Sequence, residues 1–403
     1  MLKKYYEDMK SGLEAFYKQK PRAWTRMNIE LASNFIEAFK DDVNVVWTSY
    51  YSFPMELLAA FDVVPFDFEI ATNVLPTTDA DGSVNIMSRA EEEGYSTDVC
   101  SFHRLAMACY LLGYMPRADL MLNSTYFCDG KAKLNQVLAQ YSGGESITLD
   151  VPNKINEESI NYVSSQLQYI VHKLEEVTGQ KLDRERLREC IRTSNRARKI
   201  YQRLADLQKT KPFAWNGSQL IKISIFGNML AGKNIQEQIY QQLVNEWQNK
   251  LEGGNLIPEQ YRVLWLAWDP TQPTNINEIF RKNGVSIVMS ELARNYWGEL
   301  DEQQPFESLA LWSLKNPYVG PIDQRLSGIT QMVDEYNIDG VVHFSADACR
   351  HSCAAQRMIG DAMEKLGKPF LVLDGDMSDK RKYSPERTQF LLENFIGVMA
   401  ARK

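Results

Sequence analysis

The chain has 403 residues, of which 44% are hydrophobic and 24% are charged, as is ordinary for a globular protein. Its 45 basic and 52 acidic residues give a net charge of −7, which argues against a broad basic surface for nucleic acid. No stretch approaches the roughly 20 apolar residues of a membrane helix, and residues 1–20 lack the apolar region of a signal peptide. Because the 6 cysteines are irregularly spaced and form no disulfide framework, we expect the protein to reside in a reducing compartment, the cytoplasm. We expect no association with a membrane.

The first block of the chain, residues 1–152, alternates short apolar runs with helical patterns. The runs are rich in β-branched and apolar residues and are bounded by polar residues or glycine, as is typical of strands. Between them, residues 56–61 and 103–112 repeat apolar side chains at helical spacing. Strands that alternate with helices predict a parallel sheet with helices on both faces. The predicted strands are residues 43–47, 63–68, 119–123 and 146–151.

The second block, residues 153–253, is predicted to be a helical connector. It is rich in helix formers, and its apolar residues recur at spacings of three and four. Residues 221–226 give a short strand signal, and residues 209–217 interrupt the helical pattern with proline and glycine. We expect the connector to pack across both neighbouring blocks. Its predicted helices are residues 157–178, 183–208 and 234–251.

The third block, residues 254–403, restarts the alternation of strands and helices. The predicted fold class is therefore α/β, with two parallel-sheet α/β domains joined by the helical connector. Ligands of such sheets gather beyond the carboxyl ends of the strands, so two facing domains predict a ligand-binding cleft between them. The predicted strands are residues 262–268, 285–289, 340–345 and 369–374, and the predicted helices are residues 275–283, 323–336, 353–366 and 385–399.

Three cysteines, Cys100, Cys128 and Cys349, precede predicted helices, and we expect each at a crossing from strand to helix at the top of a sheet. Helix N-termini favour a thiolate there, and free backbone N–H groups can bond the sulfides of a cluster. The sequence contains no CxxC repeat, so position alone leaves a packing role about equally open. Packing, or at most lining a pocket, is expected of the remaining cysteines, which are Cys109, Cys190 and Cys353.

Two further patterns resemble ligand-binding loops but lack essential parts. Residues 227–233 fit the GxxxxGK spacing of a nucleotide-binding loop, but Asn234 follows where a Ser or Thr would hold Mg²⁺. Residues 374–379 are acidic but lack the spacing and closing Glu of a calcium loop, so they predict a turn after a strand. We expect structural roles for His103 and His351, with His103 able to donate a hydrogen bond to a cluster sulfide.

Several short segments between residues 44 and 399 form a recognisable set. They are Phe-Pro-Met-Glu-Leu at residues 53–57, Ala-Phe-Asp at 60–62, Tyr-Ser-Thr-Asp-Val-Cys at 95–100, Cys128, Gly-Val-Val-His at 340–343 leading to Cys349, and Pro-Phe-Leu-Val-Leu-Asp-Gly-Asp at 369–376. As a set they resemble the 2-hydroxyacyl-CoA dehydratase family, which includes benzoyl-CoA reductase subunits and double-cubane relatives.

The resemblance implies that Cys100, Cys128 and Cys349 bind one [4Fe-4S] cluster, whose fourth iron is open to water or to the substrate carbonyl. It implies the removal of water from a 2-hydroxyacyl-CoA through a ketyl radical. A separate ATP-dependent iron–sulfur activator protein would supply the electron. A homologous subunit, in a hetero- or homodimer, is the other expected partner.

The same resemblance implies an acid–base group near the open iron. Glu69 matches the position of a catalytic carboxylate in the catalytic subunits of the family. A serine is also expected just before the Phe-Pro pair, where Ser49 and Ser52 are candidates, although the ungapped match falls on Tyr51. That departure leaves open which of these three residues takes the serine role.

Two alternatives to the dehydratase remain open from the sequence. One is a homodimer that shares a double-cubane [8Fe-9S] cluster and reduces small molecules with ATP-driven electrons, since three cysteines per chain would serve either cluster. The other is a protein that relays electrons and has no substrate pocket. Bound acyl-CoA would exclude the electron relay.

Overall fold

The computed structural model describes residues 1–212, 218–254, 256, 258–296 and 298–402. Within them the chain forms two four-stranded parallel sheets with many helices, which confirms the predicted fold class. Long helices separate the two sheets along the chain. The domain boundaries placed after residues 152 and 253 fall in connecting segments and stay predictions.

The N-terminal sheet contains β1 to β4 in the order β2-β1-β3-β4, and its neighbouring strands are parallel. Thr48 pairs with Asp67 where β1 and β2 end, and Ser124 pairs with Leu149 where β3 and β4 end. The carboxyl ends of these strands therefore form one edge of the sheet. The elements are α1 (Leu2–Gln19), α2 (Ala23–Glu37), β1 (Asn44–Thr48), α3 (Met55–Ala59), β2 (Val63–Asp67), α4 (Phe68–Thr72), α5 (Leu75–Thr78), α6 (Ala80–Glu92), α7 (Ser101–Leu111), β3 (Leu120–Ser124), α8 (Asp129–Ser142) and β4 (Ser146–Leu149).

The connector is helical, as predicted, and its first predicted helix agrees with the observed bounds. The predicted strand at residues 221–226 is wrong, because this segment lies in a helix. The isoleucines of this segment alternate with Lys222 and Ser224, which is the period of a strand. In the helix Ser224 is buried as well, and its hydroxyl donates to the carbonyl of Ile221 at 2.9 Å. Of the interruption at residues 209–217, residues 213–217 lie outside the described residues. The connector helices are α9 (Glu157–Thr178), α10 (Arg184–Leu207), α11 (Ser218–Met229) and α12 (Asn234–Glu252).

The C-terminal sheet repeats the arrangement of the first, in the order β6-β5-β7-β8. The helix predicted at residues 353–366 is divided into two, and the helix between residues 305 and 314 was not predicted. Two short 3-10 turns, Glu291–Tyr296 and Lys380–Lys382, complete this part. The elements are β5 (Tyr261–Leu266), α13 (Ile276–Lys282), β6 (Val285–Ser290), α14 (Pro305–Leu314), α15 (Ile322–Glu335), β7 (Gly340–Ala346), α16 (Arg350–Cys353), α17 (Gln356–Lys365), β8 (Phe370–Gly375) and α18 (Pro385–Ala401).

The hydrophobic core is continuous across the two sheets. The larger cluster of buried apolar side chains includes Trp47 of β1, Leu167 of α9 and Leu264 of β5. A second cluster, on the other face of the C-terminal sheet, includes Phe102 of α7 from the N-terminal part. The two sheets are therefore held together by shared apolar packing. Within the described residues, no helix is both long enough and apolar enough to cross a bilayer.

A buried ion pair fastens the connector to the N-terminal sheet. Glu56 of α3 is fully buried, and its Oε1 accepts hydrogen bonds from Ser194 Oγ at 2.6 Å and Arg198 Nη2 at 2.7 Å. Burial raises the pKa of Glu56, but Arg198 and Ser194 outweigh burial and hold the pKa below its usual range. The carboxylate is therefore ionised at neutral pH.

Glu56→Gln should lower the free energy of unfolding by about 3 kcal/mol at neutral pH, because it removes the carboxylate that neutralises a buried guanidinium. The wild-type carboxylate stabilises the fold above the ordinary pKa of glutamate, and this contribution is lost as the pH falls through the lower folded-state pKa. In urea unfolding, the difference between the two proteins should therefore shrink toward about pH 3.

Glu185→Gln is the matched control, because Glu185 pairs with Arg192 on the exposed face of α10. Loss of this exposed ion pair should cost less than about 0.5 kcal/mol. Equal losses for the two substitutions would show that the buried pair has no special role in stability.

Candidate functional site

Cys128 and Cys349 occupy equivalent places in the two sheets. Cys128 follows β3 and is the N-cap residue of α8, and Cys349 follows β7 and is the N-cap residue of α16. The residue before each cysteine has a positive φ, 72° at Phe127 and 61° at Ala348. Such values are uncommon outside glycine and concentrate at functional sites. The predicted crossing from strand to helix is confirmed for both cysteines.

Cys100 is also an N-cap residue, of α7, but the chain reaches it from α6 through turns at residues 93–99. The prediction that Cys100 lies at a crossing from strand to helix is therefore wrong. The polar run Ser-Thr-Asp at residues 96–98 offers no apolar side chains to a sheet, and instead it forms turns. Cys100 consequently has no strand to fix its position.

The three cysteines nevertheless line one cavity of about 220 Å³. Cys100 and Cys128 come from the N-terminal sheet and its helices, whereas Cys349 comes from the C-terminal sheet. The cavity therefore lies where the carboxyl ends of the two sheets face each other, as predicted for a ligand-binding cleft. Its lining also includes Tyr51, Glu69, Phe102, His103, Phe127, Trp268, His351 and Met377.

Aromatic rings form one wall of this cavity. The ring of Phe127 lies 4.9 Å from that of Tyr51, 5.3 Å from that of Trp268 and 5.0 Å from that of Tyr318, measured between ring centroids. Trp268, which follows β5, also packs edge-on against Tyr51 at 4.9 Å. Such a wall lowers the local dielectric and so strengthens the electrostatic interactions of the polar groups opposite it.

Glu69 lies in α4, immediately after β2, and its side chain is buried. The N-cap residue Asp67 holds this helix, since its Oδ1 accepts from the backbone N–H groups of Glu69 and Ile70, both at 3.0 Å. His103 Nε2 lies 3.2 Å from Glu69 Oε1. Lys131 Nζ and the hydroxyl of Tyr51 both contact Glu69 Oε2.

His103 and Lys131 extend this contact into a network. His103 Nε2 also lies 3.8 Å from Cys128 Sγ, so the imidazole bridges a carboxylate and a candidate ligand thiol. Lys131 Nζ donates to Tyr51 OH at 2.7 Å and to Ser49 Oγ at 2.9 Å, and its side chain is 1% exposed. The ammonium is therefore held by oxygen atoms away from water.

The charges of the network decide its protonation states. Burial raises the pKa of Glu69, but Lys131 and His103 outweigh burial and hold the pKa well below its usual range. Burial raises the pKa of Asp67 to about 6, although Lys131 opposes this. Burial and the nearby Glu69 raise the pKa of Tyr51. The arrangement is thus an ionised carboxylate, a lysine ammonium and a neutral phenol in one buried contact.

The thiols of Cys100 and Cys349 are protonated in the absence of a bound cation. Burial, followed by the proximity of Cys128, raises the pKa of Cys100 well above its usual range. Burial raises the pKa of Cys349 to about 12. Metal coordination reverses such shifts, because it deprotonates a thiol directly.

The three candidates for the serine role, Ser49, Tyr51 and Ser52, are placed differently relative to the cavity. Ser49 Oγ contacts Lys131 behind the cavity, whereas Tyr51 lines the cavity and contacts Glu69 directly. Ser52 Oγ is buried without a hydrogen-bond partner among the described residues, and its carbonyl accepts from Ser124 Oγ at 2.5 Å. The geometry therefore brings Tyr51 rather than Ser52 to the carboxylate.

Sequence reasoning missed several residues at this site, among them Lys131 and Trp268. Lys131 lies in an ordinary helical pattern, and nothing in the sequence marks it as buried. Trp268 ends an apolar run that predicts simply a strand. The sequence did point to two residues of the network: the ungapped match to the family falls on Tyr51, and Glu69 matches the position of a catalytic carboxylate.

The remaining cysteines and motifs lie outside the cavity. Cys109 and Cys190 are buried within α7 and α10, and Cys353 is exposed. Gly227 lies inside α11, so residues 227–233 begin within a helix and not after the strand that a phosphate-binding loop requires. Residues 374 and 375 end β8, and residues 376–379 form the turn that follows, in which Asp376 Oδ1 accepts from the backbone N–H groups of Ser378 and Asp379.

The amino-acid sequence is similar to those of known dehydratase and reductase subunits. It is 23% identical to the (R)-phenyllactyl-CoA dehydratase alpha subunit of Clostridium sporogenes, over 79% of this chain and 81% of that one. It is 24% identical to the (R)-2-hydroxyisocaproyl-CoA dehydratase alpha subunit of Clostridioides difficile, over 96% and 98% of the two chains. It is also 24% identical to a benzoyl-CoA reductase subunit of Thauera aromatica, over 86% and 87%.

A family model described as 2-hydroxyglutaryl-CoA dehydratase, D-component, matches residues 50–399. This match includes all three cavity cysteines, Glu69 and every strand of the two sheets except β1. The chain therefore belongs to the family of 2-hydroxyacyl-CoA dehydratase and benzoyl-CoA reductase subunits, as its sequence segments implied.

Proposed function

We propose that this chain is the [4Fe-4S]-binding subunit of a 2-hydroxyacyl-CoA dehydratase and that Glu69 is its acid–base residue. The observation that carries the proposal is the single cavity lined by Cys100, Cys128, Cys349 and Glu69. Membership of a dehydratase family supports the reaction class. One relative is named for phenyllactyl-CoA and another for 2-hydroxyisocaproyl-CoA, so the acyl group of the substrate is not assigned.

The three thiols fit a cubane better than a single metal ion. No three or more His, Cys, Asp or Glu residues in the described part of the chain are grouped so as to hold one ion. A cubane presents a separate iron to each thiolate, so its ligands need not converge on one point. Each cysteine is also the N-cap residue of a helix, where backbone N–H groups can bond cluster sulfides.

When bound, such a cluster supplies one-electron chemistry and, with three protein ligands, an iron site open to a substrate oxygen. The residues of the chain supply the rest. Glu69 is ionised and can accept a proton from a substrate carbon in the cavity. Lys131 and Tyr51 hold the carboxylate in place, and the rings of Phe127 and Trp268 exclude water.

The partners follow from this proposal. The substrate is an acyl-CoA, and a homologous subunit is expected because the relatives are themselves named as subunits of larger enzymes. An ATP-dependent iron–sulfur activator would deliver the electron. The buried acid–base network distinguishes this function from an electron relay, which needs no proton-transferring carboxylate beside its cluster.

Replacement of any cavity cysteine should abolish or severely reduce iron loading. Cys100→Ala, Cys128→Ala and Cys349→Ala should each do so after anaerobic reconstitution, because each removes one iron ligand. Iron and sulfide analysis with the visible spectrum measures the result. The sulfide-to-iron ratio also separates the two candidate clusters, since [8Fe-9S] has more sulfides than irons.

Cys109→Ala and Cys190→Ala are the matched controls. Both residues are buried outside the cavity, so their loss should cost about 1 kcal/mol of packing and leave the iron content nearly intact. Full iron content in a variant of a cavity cysteine would remove that residue from the ligand set.

Glu69→Gln should keep the cluster spectrum and lose dehydration of a 2-hydroxyacyl-CoA by about 100-fold or more. The amide preserves the shape of the side chain but cannot accept the proton. Glu92→Gln, at an exposed ion pair of α6, is the control and should retain activity. Turnover by Glu69→Gln at the wild-type rate would refute the catalytic role. Binding of an acyl-CoA to either protein would exclude the electron relay.

Lys131→Met should destabilise the protein without cluster by about 3 kcal/mol at neutral pH, since Asp67 and Glu69 lose their buried counter-charge. Without the ammonium, the folded-state pKa of these carboxyls rises, so the loss should grow as the pH rises above the ordinary carboxyl range. Urea unfolding at neutral and mildly acidic pH measures it. Lys133→Met, on the exposed side of the same helix, should cost less than about 0.5 kcal/mol. Similar losses in both variants would be inconsistent with the proposed network.

A further inference from the structure

Arg104 is a fully buried cation near the candidate site that the proposed reaction does not use. It lies in α7, four residues after Cys100, and its guanidinium contacts three separate segments. Nη1 donates to Glu91 Oε1 at 2.6 Å, and Nη2 donates to Asp379 Oδ2 at 2.9 Å. Nε donates to the backbone carbonyl of Val99 at 2.9 Å.

The carboxylates on Arg104 are shared with a second arginine. Arg381 Nη2 donates to Glu91 Oε1 at 2.6 Å and to Asp379 Oδ2 at 2.7 Å. The four side chains therefore form a closed ring in which arginines and carboxylates alternate. Glu91 and Arg104 come from the N-terminal part, whereas Asp379 and Arg381 come from the turn after β8. We call this arrangement the arginine ring.

Of the two arginines, Arg104 connects the ring to the segment that carries Cys100. Its Nε–H is bonded to the carbonyl of Val99, the residue directly before the cysteine. The backbone N–H of Arg104 also donates to the carbonyl of Cys100 at 3.0 Å. The side chain of Arg381 instead donates to Glu91 and Asp379, both of which lie outside residues 93–100.

Cys100 needs such an anchor more than the other two cysteines do. Cys128 and Cys349 lie four and three residues after the ends of central strands, so the sheets restrict their positions. Cys100 follows only turns, which by themselves open locally at low free-energy cost. A buried charged donor bonded to a backbone carbonyl is among the stronger hydrogen bonds of a protein.

We propose that Arg104 is a positioning residue that fixes Cys100 in the cavity by tying the Val99 carbonyl to the arginine ring. Docking of the C-terminal turn on the N-terminal part thereby also orders Cys100. The inference rests on the proposed function only in taking Cys100 as a cluster ligand.

The test compares Arg104→Lys with Arg381→Lys in the full chain without cluster. Both changes keep the positive charge, so the carboxylates of the arginine ring keep a counter-charge in each variant. A lysine at position 104 cannot bond two carboxylates and the carbonyl together, because it lacks the planar fork of the guanidinium. The thiols are alkylated with iodoacetamide under anaerobic conditions, and mass spectrometry gives the rate at each cysteine.

In Arg104→Lys, the ratio of the alkylation rates of Cys100 and Cys128 should rise by about tenfold or more, because the turn before Cys100 opens more often. In Arg381→Lys, the same ratio should stay within about twofold of wild type, even if stability falls equally. A merely structural role of Arg104 would raise the reactivity of all cavity thiols together and leave the ratio unchanged, which would overturn the proposal.

Asp379→Asn provides a second variant if Arg104→Lys does not fold. It keeps the shape of the ring and weakens the anchor of Arg104, so the same ratio should rise several-fold. An unchanged ratio in that variant would overturn the proposal. The alkylation rates are measured without iron, so they test the role of Arg104 independently of the cluster. If neither wild type nor any variant binds a cluster, the proposed function is refuted, and the alkylation ratio still decides the role of Arg104.

Discussion

The carboxyl ends of parallel strands share one edge of a sheet, and the site of this protein depends on two such edges facing each other. Glu69 follows β2 and Cys128 follows β3 of the first sheet, whereas Trp268 follows β5 and Cys349 follows β7 of the second. All four residues line one cavity. Neither sheet alone contains the full set, so packing between the two halves builds the site.

That packing buries several charges, and each of three buried cations near the cavity is compensated. Lys131 contacts Glu69, Arg104 contacts Glu91 and Asp379, and Arg325 contacts Glu291 at 2.6 Å. A buried charge without a counter-charge would cost several kcal/mol, so these pairs permit polar groups in a site that excludes water. They also fix geometry, because a guanidinium fork has few orientations that satisfy all its donors.

Two of these three cations, both arginines, bond to the backbone beside a cavity cysteine. Arg104 donates to the carbonyl of Val99, directly before Cys100. Arg325 Nη1 donates to the carbonyl of His351 at 3.0 Å, two residues after Cys349. The two halves of the protein thus use the same kind of contact, a buried arginine bonded to a main-chain oxygen, to hold a short segment outside the strands.

The amino-acid sequence by itself determined the fold class and most of the strands. Alternation of β-branched runs with helical periods is a local property, and it predicted all eight strands of the two sheets within a few residues. It failed at residues 221–226, where isoleucines alternate with Lys222 and Ser224 at the period of a strand although the segment lies in α11. The segments that resemble the dehydratases carry or lead to Cys100, Cys128 and Cys349, and the resemblance implies Glu69, so the sequence indicated these candidates before any geometry was known.

Only the tertiary structure decided which polar groups meet. Lys131 is 62 residues from Glu69 in sequence, and Arg104 is 275 residues from Asp379, so no local pattern could pair them. The placement of Tyr51 rather than Ser52 beside the carboxylate depends on how the loop after β1 packs against α8. Burial of a charge becomes favourable only when a distant counter-charge arrives. Packing within the N-terminal part brings Glu69 to Lys131, and docking of the two sheets brings Asp379 to Arg104.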